Sequence, residues 1–578
     1  MFNKTIDTAV CVVDVTVNPF PRTATTWTRT STTFPFQLRR WTFAEMKSIP
    51  DSIFLLFSLS TLAQCDPVEL RPSEEFARRR GPQIFNAVHD SMRQWGSSLH
   101  HNGMSFFPAT VPAGVLLYHG NNSPNSPSEP DWLAYEIEHA EEFARGRPSR
   151  PPGGGPPGGP PGGRPGGGPP RGPPGGPPPP PAHEDADQQH VLSGRREKRA
   201  EGEGGYLHVY RASEDLHLLY VDGMSGGKTR MGTLDSQDYL LRGSKTDSWA
   251  DPDSSKVRGG GPMGERERAV ELCDLVKPWG LHGILRMEAG FEIIMCDFTN
   301  GLEQVQAQRR SSSNRRNDRN GGINRLETLR GWAERYQGIG ASRTLIDYSS
   351  MVSAFFYPVN LTNPNESRPD LPRLSYVSEA ELEVIKNHVH EAIESSKGVK
   401  RSPVDWQGIS DLIVGRFADR IEFMASTDSS SVLLEEINFI LDVFISYPGD
   451  DGKPDLAEAA SLCRTFYLQI MTPSTEADRL LYASFKTVTS EICSTLFGVR
   501  EKLSSSFQIS RSDVKASTEA MRSLMDFLGW SRFKRCTGCS LNEVCFVPMW
   551  PMGSKEDYYH PSCKNGSSLH DGESYWKM

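Results

Sequence analysis

Apolar positions along this chain change their spacing twice. From Pro67 to Arg145 the run "SEEFARRRGPQIFNAVHDSMRQWGSSL" has helical spacing with Ser73 as its cap. "MSFFPATVPAGVLLYHG" reads as one or two short strands, and "DWLAYEIEHAEEFARG" as a strand end running into a helix. Strand-like runs resume in "YLHVYRA" and "DLHLLYVDG". "ERERAVELCDLVKPWG" then returns to helical spacing and stops at Pro278, and "HGILRMEAGFEIIMCDF" predicts a hairpin turning at Ala289-Gly290. From Ser375 onward the period is helical throughout. "SEAELEVIKNHVHEAIESSKG" opens on a capping box, Ser378 with Glu381, and five further amphipathic runs follow before the pattern dissolves into aromatic, cysteine-rich coil.

These periods predict an α+β protein. Residues 67–145 and 205–372 make a mixed α+β domain, 375–530 a helical bundle, and 531–578 a Cys-rich tail. Between the two halves of the mixed domain, Pro151 to Pro181 is only proline, glycine and two arginines, without a strict Gly-X-Y period. The whole of 146–204 therefore reads as a disordered Pro/Gly-rich insertion rather than collagen. Strand-like pieces on either side lack enough partners to form separate sheets, so it is an excursion within one domain, at a closure cost that grows slowly with length. A second excursion, 305–325, is basic. Its arginines have no interleaved aromatics on which bases could stack, so nucleic acid is not an expected partner.

Composition adds a location. The formal charge of −9 over 578 residues is too mild to imply a global electrostatic partner. No run reaches the roughly 18 apolar residues of a spanning helix. Ile53 to Ala63, "IFLLFSLSTLA", instead has the length of a signal-peptide core, with Met46-Lys47 before it and small residues Thr61 and Ala63 at the cleavage side. On that reading 46–63 is a signal peptide, 1–45 is a doubtful leader, and the product is secreted or held at the cell surface. Asn121, Asn360, Asn365 and Asn565 begin glycosylation sequons. Beyond the signal lie Cys273, Cys296, Cys463, Cys493, Cys536, Cys539, Cys545 and Cys563, an even set, with Cys65 at the cleavage region left aside, that reads as up to four disulfides with roughly a hundred possible pairings.

Three stretches could carry chemistry. In the tail, Cys536-x2-Cys539, Cys545, His560 and Cys563 could hold zinc, but the second half lacks a matching tight pair and an oxidising compartment favours disulfides. No metal ligand is assigned on that ground, and a binding module built on the tail stands as an alternative. "DGMSGGKT", Asp222 to Thr229, has the look of a phosphate loop. It puts an aspartate where the first glycine belongs, however, and no clear helix follows, so it reads as a turn.

The third stretch is "LLYHG" followed by "WLAYEIEHAEEFA", which resembles the front half of ADP-ribosyltransferase-like domains. The resemblance implies that His119 would hold NAD, that Trp132 or Tyr135 would stack on nicotinamide, and that Glu288 or Glu292 would be the acid. More broadly, "GMSFFPATVP", "LLYHG", "LLYVDGMS", "DYSSMVSAFFYPVNLTNP" and the Cys-x2-Cys tail resemble an uncharacterised family of secreted filamentous-fungal (ascomycete) proteins. That resemblance implies secretion and supplies no activity. The expectation is thus a secreted, disulfide-bonded glycoprotein without established catalysis or a cofactor, with the NAD-using enzyme as the alternative.

Overall fold

Pro82 and Met92 decide how the chain begins. A computed structural model describes residues 70–144, 205–243, 264–310, 321–447 except 334, 336, 339–342 and 399–403, then 453–505, 509–569 and 575–577. The leader 1–45, the signal segment 46–63, the insertion 146–204 and the basic stretch 311–320 lie outside the described residues. The helix expected after Ser73 is three helices, α1 (Glu74–Arg79), α2 (Gly81–His89) and α3 (Gln94–Leu99). Ser73 caps α1 as expected. Pro82 then stands in the first turn of α2, where a missing N–H costs nothing, and Met92 breaks the next junction at a φ of 55°.

Among the described residues, ten strands build one sheet. They are β1 (Ser105–Val111), β2 (Leu116–Asn121), β3 (Asp131–Ala134), β4 (Tyr206–Ala212), β5 (Leu216–Val221), β6 (Gly283–Met287), β7 (Phe291–Met295), β8 (Leu302–Arg309), β9 (Leu345–Ile346) and β10 (Val352–Ser353). The order is β10-β1-β5-β6-β7-β3-β2-β4-β8, with β9 also on β1; among these strands only β5 and β6 run parallel. The β6–β7 hairpin turns at Ala289-Gly290 as its sequence predicts, closed by the Glu288 N–H donating to the Gly290 carbonyl. β8 takes in residues 305–309 of the segment expected to be a basic loop, and lies exposed at the sheet edge.

Helices cover this sheet. α4 (Ile137–Ala144) follows β3, α5 (Glu265–Val276) precedes β6, and α6 (Gly321–Ala333) follows β8. Gly120 shows how closely α4 sits: a Cβ there would lie 1.9 Å from the Ala140 carbonyl oxygen. A π-helical turn, Ser236–Leu241, fills the segment before α5. The expected six C-terminal helices are all present as α7 (Glu379–Ser396), α8 (Trp406–Ser426), α9 (Ser430–Leu441), α10 (Leu456–Thr465), α11 (Glu476–Ser505) and α12 (Arg511–Leu528). Both bonds of the Ser378/Glu381 capping box form. In the tail, β11 (Glu543–Phe546), α13 (Lys555–Tyr559) and β12 (Ser562–Asn565) follow, with β11 and β12 antiparallel.

The helices do not stand apart from the sheet region, because Leu70–Met578 is one compact unit. α1 and α2 pack into the C-terminal layer. Ser484 donates to the Ala77 carbonyl at 3.0 Å, Phe85 and Phe485 ring centroids are 4.6 Å apart, and Asn86 donates to the Leu528 carbonyl. One hydrophobic cluster runs continuously from Ile84 through β5–β7 to Trp530.

Candidate functional site

Strands buried on both faces should be continuously apolar. β6 and β7 are fully buried, yet "GILRM" and "FEIIM" each carry a charge. Arg286 and Glu292 are directly opposite in the hairpin, and the guanidinium Nε donates to Glu292 Oε1 at 2.8 Å. The N-terminus of α5 brings Glu265 onto the same guanidinium, and the π-helical turn brings Gln237, whose Oε1 accepts at 2.7 Å. Glu265 also takes Arg268 at 2.9 Å, and Arg268 reaches Asp238 through two further bonds. The "DGMSGGKT" turn supplies Lys228, which is paired with Glu288, lies 3.4 Å from Glu265, and sits 5.0 Å over the Trp550 ring. This lysine holds a protein carboxylate where the phosphate-loop resemblance would have placed a phosphate.

Burial and charge work against each other here. Burial alone would raise the Glu265 carboxyl, but Arg286, Lys228 and Arg268 outweigh it and hold the group well below the usual carboxylate range. Burial lowers the Arg286 guanidinium less than Glu265, Glu292 and Glu288 raise it. At the hairpin tip burial wins, and the Glu288 carboxyl is pushed up. The network closes its own charges and presents no open charged group. It works as a polar keystone between α5, the hairpin and the preceding loop.

Of the five residues expected to handle NAD, His119, Trp132 and Glu292 line one small cavity, while Tyr135 and Glu288 are not among its walls. Tyr118 pairs with Ala134, Ala134 with Glu292, and Glu292 with Arg286, so these share one sheet face. His119, one residue along, points to the other face. There its ring meets His208 and Phe298 at centroid distances of 5.6 and 5.4 Å. His119 Nδ1 donates to the Trp132 carbonyl at 2.7 Å, and burial drives the imidazole pKa down to about 3, so the ring is neutral. Tyr135 is wholly buried, with its hydroxyl 2.6 Å from Thr344 Oγ1 and the Arg343 guanidinium over its ring, so no face is open for stacking. The cavity shared by residues His119, Trp132, His139 and Glu292 measures about 10 Å³. That is room for about one water molecule.

Sequence reasoning passed over a neighbouring group. Glu136 is 0% exposed and neither carboxyl oxygen has a hydrogen-bond partner; its nearest charge is Arg335 Nε at 3.9 Å. His139 Nδ1 and Trp332 Nε1 are likewise unpartnered. Gly290 lies among them: a Cβ there would stand 2.6 Å from His139 Nδ1 and 3.0 Å from Glu136 Oε2. Burial pushes the Glu136 carboxyl from its ordinary 4.5 up to about 8. A raised carboxyl binds its proton more tightly in the folded state, so its effect on stability is absent below pH 4.5, grows as the pH rises to 8, and is then complete. Glu136→Gln is therefore expected to stabilise the protein by about 2–4 kcal/mol at pH 8.5 and to change little at pH 4. Urea denaturation at the two pH values measures this, and equal effects at both would remove Glu136 as the source.

The eight cysteines form four pairs. Cys273–Cys296 ties α5 to the end of β7, Cys463–Cys493 ties α10 to α11, and Cys536–Cys545 and Cys539–Cys563 close the tail. In all four sequons the Asn Oδ1 accepts the N–H two residues on. Asn360 and Asn365 are exposed and Asn565 is half-buried, whereas Asn121 is buried beside His208.

Fold and site together define a mixed α/β protein with one large sheet, a C-terminal helical layer, and a buried ionic centre between α5 and the β6–β7 hairpin. Residues 75–319 match a family described as the YPL277C N-terminal domain. The chain is 28% identical over 563 residues to "Uncharacterized protein YOR389W" of Saccharomyces cerevisiae (strain ATCC 204508 / S288c), covering 86% of this chain and 85% of that one. It is 30% identical over 217 residues to "Uncharacterized protein YPL277C" of the same yeast, covering 37% and 40%. No solved structure matches. These likenesses agree with the resemblance to an uncharacterised fungal family, and none of them points to an ADP-ribosyltransferase.

Proposed function

We propose that this chain is a disulfide-locked glycoprotein of the secretory pathway, released or held at the cell surface, that works by binding rather than by catalysis. The observation that carries this reading is the complete pairing of Cys273, Cys296, Cys463, Cys493, Cys536, Cys539, Cys545 and Cys563. Four bonds using eight cysteines suit an oxidising compartment, since the cytosol keeps thiols reduced. The signal-like run Ile53 to Ala63 and the exposed Asn360 and Asn365 support it.

Binding is favoured over chemistry by where the open space lies. The polar cluster around Arg286 is closed. A groove of about 1190 Å³ instead runs between β1, β9, the end of α7 and the start of α8, and Arg93, His217, Asp347, Lys397, Asp405 and Asp411 are among its walls. That volume accommodates a ligand of drug size or larger.

The test is expression of the full chain in a yeast host, followed by mass spectrometry of the medium and the cell fraction. The reading expects protein in the medium that begins near Gln64, has no thiol other than Cys65 alkylated before reduction, and loses mass on endoglycosidase treatment, by less once Asn360 and Asn365 are both changed to Gln. Protein retained in the cytosol with alkylatable cysteines would refute it.

A further inference from the structure

The two tail disulfides are not independent of each other. Cys545 and Cys563 are directly opposite in the β11–β12 pair, so their side chains leave the hairpin side by side. Facing them, Cys536-Thr537-Gly538-Cys539 makes a tight turn in which Gly538 takes a φ of 70°, a value that favours glycine. The sulfurs of Cys536, Cys539 and Cys545 lie within 4.8 Å of one another. The fourth, Cys563 Sγ, is bonded to one of these three. All four sulfurs therefore form one cluster, built from a Cys-x2-Cys turn and a cross-strand pair. Sequence spacing could not reveal this, because the second half has no tight pair along the chain and acquires one only across the hairpin.

We propose that Cys536, Cys539, Cys545 and Cys563 form a tetrathiolate site that takes one Zn²⁺ when the tail is reduced. Tetrahedral zinc with Zn–S bonds of about 2.3 Å needs sulfurs roughly 3.8 Å apart. Three of the sulfurs lie within 4.8 Å of one another, about an ångström above that spacing, and Cys563 is tied to them through its bond to Cys539, so small side-chain shifts on parting of the bonded pairs would close the four on a metal. The backbone N–H of Cys536 donates to Cys545 Sγ at 3.2 Å, a bond that favours a thiolate there. All four cysteines are partly exposed, which gives a metal or a reductant a way in.

Two equivalents of a small dithiol each deliver two electrons and two protons to one disulfide and leave as the cyclic disulfide. The four resulting thiols then release four protons as they bind Zn²⁺ as thiolates. Both states use the same backbone placement. Val544 and Phe546 of β11 would thus stay packed on Leu326, Leu329 and Trp332 of α6 in either state.

This inference does not depend on the secretory reading, and the experiment separates them. The purified full chain is reduced anaerobically with dithiothreitol and supplied with Co²⁺ as a spectroscopic probe, then with Zn²⁺. The expected result is a thiolate-to-cobalt absorption band at one metal per chain, displaced by Zn²⁺. The band should be lost in Cys536→Ser/Cys563→Ser and kept in Cys463→Ser/Cys493→Ser. Because the serine variant could fail to fold, limited proteolysis of the reduced wild-type chain with and without Zn²⁺ provides the second measure. Zn²⁺ should slow cleavage around β11–β12 at least several-fold. No band with the wild-type chain, an equal band in the tail variant, or no protection by Zn²⁺ would each overturn the proposal.

Discussion

Replacing Arg286 by alanine is expected to cost about 3–5 kcal/mol and to leave little folded protein. The guanidinium is 0% exposed and is held by Glu265, Glu292 and Gln237. Removing it leaves two carboxylates in the centre of the molecule with part of their compensation gone. Lys228 and Arg268 still reach Glu265, but among the described residues no other charge lies within hydrogen-bond distance of Glu292, whose next neighbour is His139 Nε2 at 3.7 Å. A domain typically has only about 5–15 kcal/mol of stability in total. The counter-variant changes all three groups together, Arg286→Met with Glu292→Leu and Glu265→Gln, and is expected to recover much of the loss because no unpaired charge remains. Urea midpoints of the three proteins decide it. An Arg286→Ala protein within about 1 kcal/mol of wild type would mean that the network is not closed as described.

Gly120→Ala is the second large effect. A methyl group there would stand 1.9 Å from the Ala140 oxygen and 2.8 Å from the Ala144 nitrogen, both backbone atoms of α4 that no rotamer change can move. The helix must lift off β2, opening the small cluster of Ala134, Ala140, Ala144 and Leu207. Overpacking of this kind costs about 1–3 kcal/mol and more where the backbone cannot yield. Gly114→Ala is the control. Gly114 has a φ of 90° but open space around it, so only backbone strain applies, about 1 kcal/mol. Thermal unfolding followed by circular dichroism should rank Gly120→Ala well below Gly114→Ala. The reverse order would show that α4 is not seated on Gly120.

That second result bears on what "LLYHG" could reveal. The strand, the turn before it and the helix after "DWLAY" were legible from spacing and turn residues. The reason for the final glycine was not, since it lies in a helix some twenty residues downstream. The direction of His119 was also hidden. Whether it shares a face with Glu292 depends on the register Tyr118–Ala134–Glu292, which no local pattern encodes. The six C-terminal helices could be read because amphipathic runs and capping residues agree along each of them. The first helices could not be divided correctly from spacing, which continues across Arg80 and Met92 although the backbone does not. Arg286 and Glu292 left a signal that period-matching overlooks: single charges inside otherwise apolar strands, which need partners from elsewhere in the fold.

The packing of α1–α3 carries a consequence for how the protein is made. Ala77 meets Ser484, Asn86 meets Leu528, Trp95 donates to the Ser531 carbonyl, and His101 bonds Tyr575, pairs separated by 407 to 474 residues. The first described helices thus complete their packing only when residues 477–575 have left the ribosome. Until then Tyr220, Tyr348 and the carbonyls of Ala354 and Val359 can reach them, but the sides that meet Phe485, Leu528 and Trp530 stay uncovered. Residues 75–319 cannot complete their packing as an early unit during synthesis, and the nascent chain has to be kept from aggregating until its far end arrives.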